Sequence, residues 1–177
     1  MIRNWSPLIA VLLCSGNGAA AEPEEAGEFS TYTGVLMGLG ARAAVGATTG
    51  YYIHNPFAIM LVDVAYSPIG EQTLRPVDPP GVTGARLYDI GLAFHVPIPL
   101  RKRWSPYGII GGSVLCSTYE SVATGKDRQS AYFGFQTGGG VRYFVGEDWG
   151  IRSELKVIIS HRTFTRLSFG IFYQFDR

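Results

Sequence analysis

Charged residues recur at every second position in one segment near the C-terminal end of the sequence. Arg152, Glu154 and Lys156 alternate there with Ser153, Leu155 and Val157. Alternate residues of an extended strand face the same side, so these three side chains would share one face. Such a face could line a gated polar path, bind a small ligand, or fill an interior with paired charges. Residues with a similar placement in other segments complete the predicted set: Asp63, Asp89, Arg142, Arg152, Glu154, Lys156 and Arg166.

Two serines are the candidate nucleophiles of the sequence. Ser160 or Ser153 could act with His161 as a base and Glu154 as its acidic partner. A nucleophile and its base must approach within about 3 Å of each other. Ser160 and His161 are adjacent, so in a strand they would point to opposite faces. The sequence therefore predicts no catalytic residue, and a lipid-modifying enzyme is the less favoured alternative.

The other histidines and the glycine tract indicate no cofactor or metal site. His54 and His95 are isolated, and the chain has no spacing typical of metal ligands. Residues 138–140 are three glycines in a predicted strand without a following helix, so they do not form a phosphate loop. No cofactor, no cofactor-binding residue and no metal ligand is predicted.

The composition favours a glycine-kinked β protein over a helical one. Hydrophobic residues make up 46% of the chain, charged residues only 16%, and glycines number 23. The usual charged share is about 25%. High glycine and aromatic contents are typical of strands with bends and close contacts. The formal net charge is +1 and no basic tract is present, so no nucleic-acid partner is expected.

The N-terminal residues have the pattern of a secretory signal peptide. Arg3 precedes a short apolar core at 8–13, and three alanines at 19–21 suit a cleavage site. We expect residues 1–21 to be removed during export. One cysteine, Cys116, then remains, so no internal disulfide is expected.

The rest of the chain lacks an apolar run long enough for a transmembrane helix, which needs roughly 18 or more residues. A membrane protein without such helices must be a closed barrel, because every backbone polar group in lipid has to be paired internally. Strand patterns separated by turn signals do fill the sequence. Six strands are predicted, at residues 57–66, 87–96, 107–119, 131–145, 151–160 and 164–175.

The region before residue 55 is predicted to hold one or two further strands, within residues 30–45 and 50–54. Eight is the predicted count for the closed barrel. Residues 22–28 are acidic and polar and are predicted to form a flexible lead-in. Residues 29–177 are predicted to form a single barrel domain.

The two faces of each predicted strand differ, but this alternation alone does not say which face contacts water. A soluble barrel places the apolar face inside, and a membrane barrel places it outside. Three features favour the membrane barrel: the charged faces are rich in glycine, aromatic residues lie near strand ends, and short and long turns alternate. The loops 67–86, 120–130 and 161–163 would then face the cell exterior, and the turns 97–106 and 146–149 the periplasm.

The C-terminal strand carries a motif of particular spacing. Ser168-x-Gly170-x-x-Tyr173-x-Phe175 resembles the assembly signal of bacterial outer-membrane barrels, which the barrel assembly machinery reads. The stretches "SPYGIIGGSVL" and "GFQTGGGVRYFVGEDWGIRSELKV" resemble strands of the small OmpA/OmpX-type outer-membrane β-barrel domain family. The resemblance covers residues 29–175. It implies an all-β fold: a closed antiparallel up-and-down transmembrane β-barrel of eight strands.

The functional expectation is an integral protein of the cell outer membrane with a structural or interaction role. Its outer loops would carry any recognition. The charged set would fill the lumen as a paired network, because an eight-stranded barrel is just wide enough for side chains to fill. The expected partners are outer-membrane lipid, lipopolysaccharide and the barrel assembly machinery, and a monomer without enzymatic activity is expected. A soluble periplasmic barrel of lipocalin type that binds an apolar ligand is the alternative.

Overall fold

The computed structural model describes residues 26–38, 40–53, 58–71, 82–98, 103–121 and 124–176. Its strands are β1 (Ala26–Met37), β2 (Arg42–Ile53), β3 (Ala58–Gly70), β4 (Val82–Pro97), β5 (Trp104–Ser121), β6 (Lys126–Phe144), β7 (Trp149–Ile159) and β8 (Thr163–Asp176). Each strand pairs antiparallel with the next, and β8 pairs with β1, which closes the sheet into a barrel. The predicted fold class and strand count are confirmed. Among the described residues, no helix is long and apolar enough to cross a membrane.

The N-terminal hairpin differs from the predicted boundaries. Strand β1 ends at Met37 and β2 begins at Arg42, so the connection between them falls inside the predicted strand segment 30–45 and that boundary is wrong. Gly38 and Gly40 have φ values of 125° and 77°, a region that glycine enters without a steric penalty. Residues 46–49, which lay between the two predicted segments, continue β2.

The predicted lead-in at residues 22–28 is wrong for its last three residues. Strand β1 begins at Ala26, and Glu28 pairs in register with Gln174 of β8. The Glu28 side chain is 0% exposed and points into the barrel. An acid in a polar N-terminal stretch is thus part of the barrel interior. The predicted signal peptide, residues 1–21, lies outside the described residues.

The connections between strands divide between the two ends of the barrel. The β2–β3, β4–β5 and β6–β7 connections lie at the end where β1 begins and β8 ends, which we call the terminal end. The other four connections lie at the opposite end, the loop end. The predicted grouping of the turns 97–106 and 146–149 at one end is confirmed. At the loop end β5 and β6, with 18 and 19 residues, extend beyond β7, which has 11.

The outer surface of the barrel is apolar. In β8 the side chains of Leu167, Phe169 and Ile171 are 37%, 57% and 58% exposed, whereas the alternate residues Arg166 and Ser168 are buried. This alternation repeats around the barrel and leaves Val, Ile, Leu and Phe side chains outside on every strand. The faces predicted to be apolar therefore point outward.

Aromatic pairs lie on this surface near both ends. Trp104 and Tyr143 have ring centroids 4.7 Å apart near the terminal end. Tyr66 and Tyr88 pair across β3 and β4 nearer the loop end, with centroids 5.4 Å apart. Their placement matches the two aromatic girdles typical of membrane barrels.

The interior has two regions that differ in chemistry. Near the loop end a cluster of buried apolar side chains, which we call the apolar plug, consists of Leu36, Ala44, Ile69, Ala85, Leu87, Leu115, Tyr119, Ile158 and Phe164. Between the plug and the terminal end lie eight charged side chains, which we call the charged belt: Glu28, Asp63, Asp89, Arg142, Arg152, Glu154, Lys156 and Arg166. The wall is the same closed sheet in both regions, so the difference lies in the inward residues alone.

Candidate functional site: the charged lumen

The charged belt is balanced in sign. It contains four carboxylates and four cationic side chains, and each is at most 4% exposed. Charges so far from water are stable only when each has a partner of opposite sign. The arrangement of these partners is therefore the central feature of the lumen.

The belt forms one continuous chain in which the signs alternate. Arg142 Nε lies 3.0 Å from Glu28 Oε2, and the other Glu28 oxygen lies 3.4 Å from Arg152 Nη1. Arg152 Nη2 is 3.8 Å from Glu154 Oε2, and Glu154 Oε1 is 3.4 Å from Lys156 Nζ. These four contacts join the half of the chain nearest the terminal end.

The other half continues toward the apolar plug. Lys156 Nζ donates to Asp63 Oδ2 at 2.6 Å, and the same oxygen accepts from Arg166. Arg166 Nη1 donates to Asp89 Oδ2 at 3.1 Å. Each of the eight groups thus has at least one neighbour of opposite sign.

Closure of the barrel places two of the carboxylates beside pairs of like charge. Arg142 and Arg152 are directly opposite in the β6–β7 register, and Lys156 and Arg166 are directly opposite in the β7–β8 register. Like charges at such positions repel each other. Glu28 from β1 contacts both members of the first pair, and an acid from β3 contacts both members of the second.

Two tyrosines support the belt through equivalent arrangements. The Tyr107 hydroxyl donates to Glu154 Oε2 at 3.1 Å, and its ring lies over Gly140 on the neighbouring strand. Tyr32 donates to Asp63 in the same way, with its ring over Gly46. A Cβ atom at either glycine would collide with the tyrosine ring. In each case a tyrosine, a glycine and a carboxylate occupy three successive strands.

Three cations also lie over these tyrosine rings. The guanidinium carbon of Arg142 is 4.2 Å from the centroid of the Tyr107 ring, and those of Arg166 and Arg152 are 5.0 Å and 5.7 Å from the centroid of the Tyr32 ring. These distances are typical of cation–π contacts. The tyrosines therefore fill space and stabilise both signs of charge.

His95 joins the belt as a neutral side chain. Its ring stacks on Tyr107 with centroids 4.5 Å apart, and its Nδ1 lies 3.0 Å from Nη2 of Arg142. Arginine can only donate, so we assign Nδ1 as the acceptor and place the proton on Nε2. That Nε2 lies 3.8 Å from Glu154 Oε2.

The structure places all seven residues of the predicted charged set in the lumen, each in at least one ion pair. The prediction missed Glu28, which it assigned to the lead-in, and His95, which it treated as isolated. It also missed Tyr32 and Tyr107. A signal for His95 was present, because it shares the odd-numbered face of β4 with Asp89.

The serine and histidine at the loop end differ from expectation. Residues 160–162 form the turn between β7 and β8, so Ser160 and His161 are not in a strand. Ser160 Oγ lies 3.4 Å from His161 Nδ1, so the expectation that they point to opposite faces is wrong. The same hydroxyl donates to the Phe133 carbonyl at 2.7 Å. Glu154, the acid considered with them, belongs to the charged belt.

The residues of the C-terminal motif all lie in β8. Ser168 is buried, and Gly170 faces the lumen beside Tyr32. Tyr173 is half exposed on the outer surface, and Phe175 makes an edge contact with Tyr51 at 6.4 Å. The motif thus has two positions that face the lumen, Ser168 and Gly170, and two aromatic side chains on the outer face, Tyr173 and Phe175.

A small cavity lies inside the barrel. It has a volume of about 10 Å³ and lies where the belt meets the plug, beside Asp89 and Arg166. Such a volume admits about one water molecule. Within the described ranges, no group of three or more His, Cys, Asp or Glu side chains is placed to hold a metal ion. The ion pairs of the belt are suited to holding strands together across the lumen.

Solved structures with the same architecture include bacterial surface and outer-membrane proteins. Neisserial surface protein A superposes with a TM-score of 0.64 at 16% identity, covering 86% of this chain and 97% of its own. The chain has the fold of the small outer-membrane β-barrels. Ail, the attachment invasion locus protein of Yersinia pestis, and the N-terminal β-barrel domain of Pseudomonas aeruginosa OprF each superpose with a TM-score of 0.61 at 12% identity, covering 87% of this chain and 100% of their own. No protein-family model and no curated protein matches this sequence.

Proposed function

We propose that this protein is an integral outer-membrane β-barrel with a closed lumen and a structural or interaction role carried by its loop end. The observation that carries the proposal is the inversion of the barrel. Apolar side chains such as Ile171 and Phe169 are more than half exposed outside, while eight charges are buried inside. A lipid bilayer is the solvent that makes this arrangement stable.

The extent of the apolar outer surface supports a lipid environment. Soluble monomers rarely expose an apolar patch larger than a few hundred Å². Here the apolar exterior continues around all eight strands. The same argument weighs against the alternative of a soluble lipocalin-type barrel, which would need an apolar cavity where this lumen holds paired charges.

The charged belt is proposed to act as a structural filler and not as a conduction path. The alternating chain of ion pairs spans the middle of the lumen, and the apolar plug covers it toward the loop end. Moving an ion along this route would require breaking buried pairs and crossing an apolar layer. Purified protein in planar bilayers should therefore show no steady single-channel conductance.

The proposed orientation places the loop end outside the cell and the terminal end in the periplasm. Outer-membrane barrels have short periplasmic turns and longer outer loops. The long β5–β6 hairpin and the β3–β4 connection both lie at the loop end. Outer-membrane lipid and lipopolysaccharide are then the proposed surroundings of a monomeric barrel.

Biogenesis is proposed to use both ends of the chain. Residues 1–21 would direct export and be removed, and Ser168, Gly170, Tyr173 and Phe175 would be read by the barrel assembly machinery. A Phe175→Ala variant should reach the outer membrane in smaller amounts while the purified chain still refolds in detergent. Phe169→Ala, which changes an aromatic on the same outer face outside the motif, is the matched control.

We propose that the protein acts without catalysis. A serine nucleophile needs a base that takes its proton and an acid that orients the base. Here the Ser160 hydroxyl donates to the Phe133 carbonyl, and Glu154 pairs with Arg152 and Lys156 in the lumen. A His161→Ala variant should therefore leave the lipid A of the cell unchanged.

Fractionation of expressing cells, with detergent extracts run on gels before and after boiling, tests the main proposal. We expect the protein in the outer-membrane fraction, with a band that migrates differently until it is boiled. Release with the periplasmic contents, alongside a soluble periplasmic marker, would overturn it. The apolar exterior would then need a protein partner to cover it.

A further inference from the structure

Strand β6 has an unpaired edge at the loop end. Its pairing with β7 stops at Phe135 opposite Ile159, whereas its pairing with β5 continues to Lys126 opposite Ser121. Residues 126–134 therefore have a strand on one side only, as far as the described residues show. The β5–β6 register has no bulge along this stretch.

One hydrogen bond shows which backbone groups face the open side. Ser160 Oγ, in the turn after β7, donates to the carbonyl oxygen of Phe133. The N–H and C=O of a strand residue point to the same side, and this side alternates along the strand. The backbone groups of Asp127, Gln129 and Ala131 therefore also face the open edge. Among the described residues, the Ser160 hydroxyl replaces the hydrogen bond of a neighbouring strand at Phe133 alone.

The side chains along this edge are unusually exposed. Phe133 is 86% exposed, against 49% for Phe135, which has β7 beside it. Natural proteins protect free edges with proline, bulges or charges, because such edges pair with other strands. Proline and bulges are missing from residues 126–134, so the protection rests on the charges near the tip.

Those charges have a definite pattern. Lys126 and Arg128 lie on one face of β6, and Asp127 lies on the other, directly opposite Glu120 of β5. Two acids at such opposed positions repel each other. An added strand with acidic residues beside Lys126 and Arg128, and a basic residue beside Asp127, would match the edge. A strand with the reverse pattern would be repelled.

We propose that the β6 edge, residues 126–133, binds an extended segment of a partner polypeptide as an additional antiparallel strand. The segment would carry acidic residues at alternate positions, a basic residue between them, and an apolar residue beside Phe133. Backbone hydrogen bonds would supply affinity and the side-chain pattern specificity. The inference rests on the proposed function in one respect: the proposed orientation places this edge outside the cell.

A synthetic peptide tests the edge directly. Val-Thr-Val-Thr-Thr-Glu-Lys-Glu, with capped ends, places its charged residues opposite Arg128, Asp127 and Lys126 when it lies antiparallel. It is titrated into full-length protein refolded in a nonionic detergent, and amide chemical shifts are followed by NMR. The amides of Gln129 and Ala131 should shift, and that of Phe135, which has β7 beside it, should not. The control peptide, Val-Thr-Val-Thr-Thr-Lys-Glu-Lys, has each charge replaced by its opposite. It should bind about tenfold more weakly at low salt.

Two variants at one position separate backbone pairing from a nonspecific contact. Gln129→Pro removes an N–H that faces the open edge, and an edge strand tolerates proline at such a position. This variant should abolish the chemical-shift changes caused by the peptide. Gln129→Thr keeps the N–H and should bind like the unchanged protein. Both should keep the heat-sensitive gel band of a folded barrel. Equal binding to both variants, equal affinity for both peptides, or no shift in a folded barrel would each overturn the inference. A folded outer-membrane barrel that ignores the peptide would leave the proposed function intact.

Discussion

The apolar plug and the charged belt fill the same barrel by opposite means. In the plug, side chains such as Leu115 and Phe164 pack without any polar partner. In the belt, a side chain such as Asp63 is held by Lys156, Arg166 and Tyr32 together. The stability of the plug depends on the volumes of its side chains, and the stability of the belt depends on the sign of each charge. Substitutions of similar size should therefore be tolerated in the plug and not in the belt.

The largest effect is expected from Asp63→Asn, which keeps the shape of the side chain and removes its charge. Lys156 and Arg166, directly opposite each other, would lose the carboxylate between them. Removing one partner of a buried ion pair lowers the free energy of unfolding by about 3–5 kcal/mol. Urea unfolding of the refolded protein in lipid vesicles, followed by tryptophan fluorescence, would measure the loss. A loss as small as that of Glu71→Gln, an exposed acid after β3, would show that the belt is not needed for stability.

The next largest effect is expected from Leu115→Ala in the plug. Leu115 is fully buried, and its truncation leaves a cavity that costs about 2–5 kcal/mol. Leu115→Met conserves volume and should cost less than about 1.5 kcal/mol. The same unfolding experiment applies. If Leu115→Met were as harmful as Asp63→Asn, the distinction between volume and charge would fail.

A smaller effect is expected from Gly140→Ala, which tests how the belt is anchored to the wall. The new methyl group would collide with the Tyr107 ring and displace its hydroxyl from Glu154, and it would also lie 2.6 Å from the backbone oxygen of Ser153. Overpacking of this kind costs about 1–3 kcal/mol. Gly108→Ala on β5, where a Cβ would meet no atom within 4 Å, is the matched control. Equal stability of the two variants would mean that Tyr107 and the β7 backbone adjust without cost.

The smallest effect is expected from Glu120→Gln, which changes a charge outside the lumen. Glu120 and Asp127 are directly opposite on the β5–β6 hairpin, and removing one of two like charges should stabilise the protein by about 0.2–1 kcal/mol. The gain should shrink at high salt, because salt screens exposed charges. The cost of Asp63→Asn should not change with salt. A parallel response of both variants to salt would contradict the burial of the belt.

Most members of the belt could be predicted because the alternation of polar and apolar residues is visible in the sequence of a single strand, whatever strands pair with it. Arg152, Glu154 and Lys156 reveal a polar face by their spacing alone. Their partners are set by the closure of the barrel, which brings Glu28 of β1 beside Arg142 of β6. Local composition could not show this, since Glu28 follows a polar and acidic stretch.

Glycine was the other source of error, because it serves two purposes in the first hairpin. Gly38 and Gly40 form the turn with positive φ, whereas Gly46 makes room for Tyr32 within β2. Both look alike in the sequence. The contact between Ser160 and His161 was also missed. It arises because both residues lie in the turn after β7, and the alternation of residues in β7 does not show where that strand ends.

Contacts between protein methyl groups and lipid acyl chains test the central claim most directly. The protein would be reconstituted in lipid nanodiscs with labelled methyl groups, and nuclear Overhauser effects to the acyl chains would be recorded. We expect strong effects at Ile151, Leu155 and Ile171, and none at the inward Leu115 and Ile158. Effects at the inward pair with none at the outward residues would contradict an inverted barrel with its charges inside.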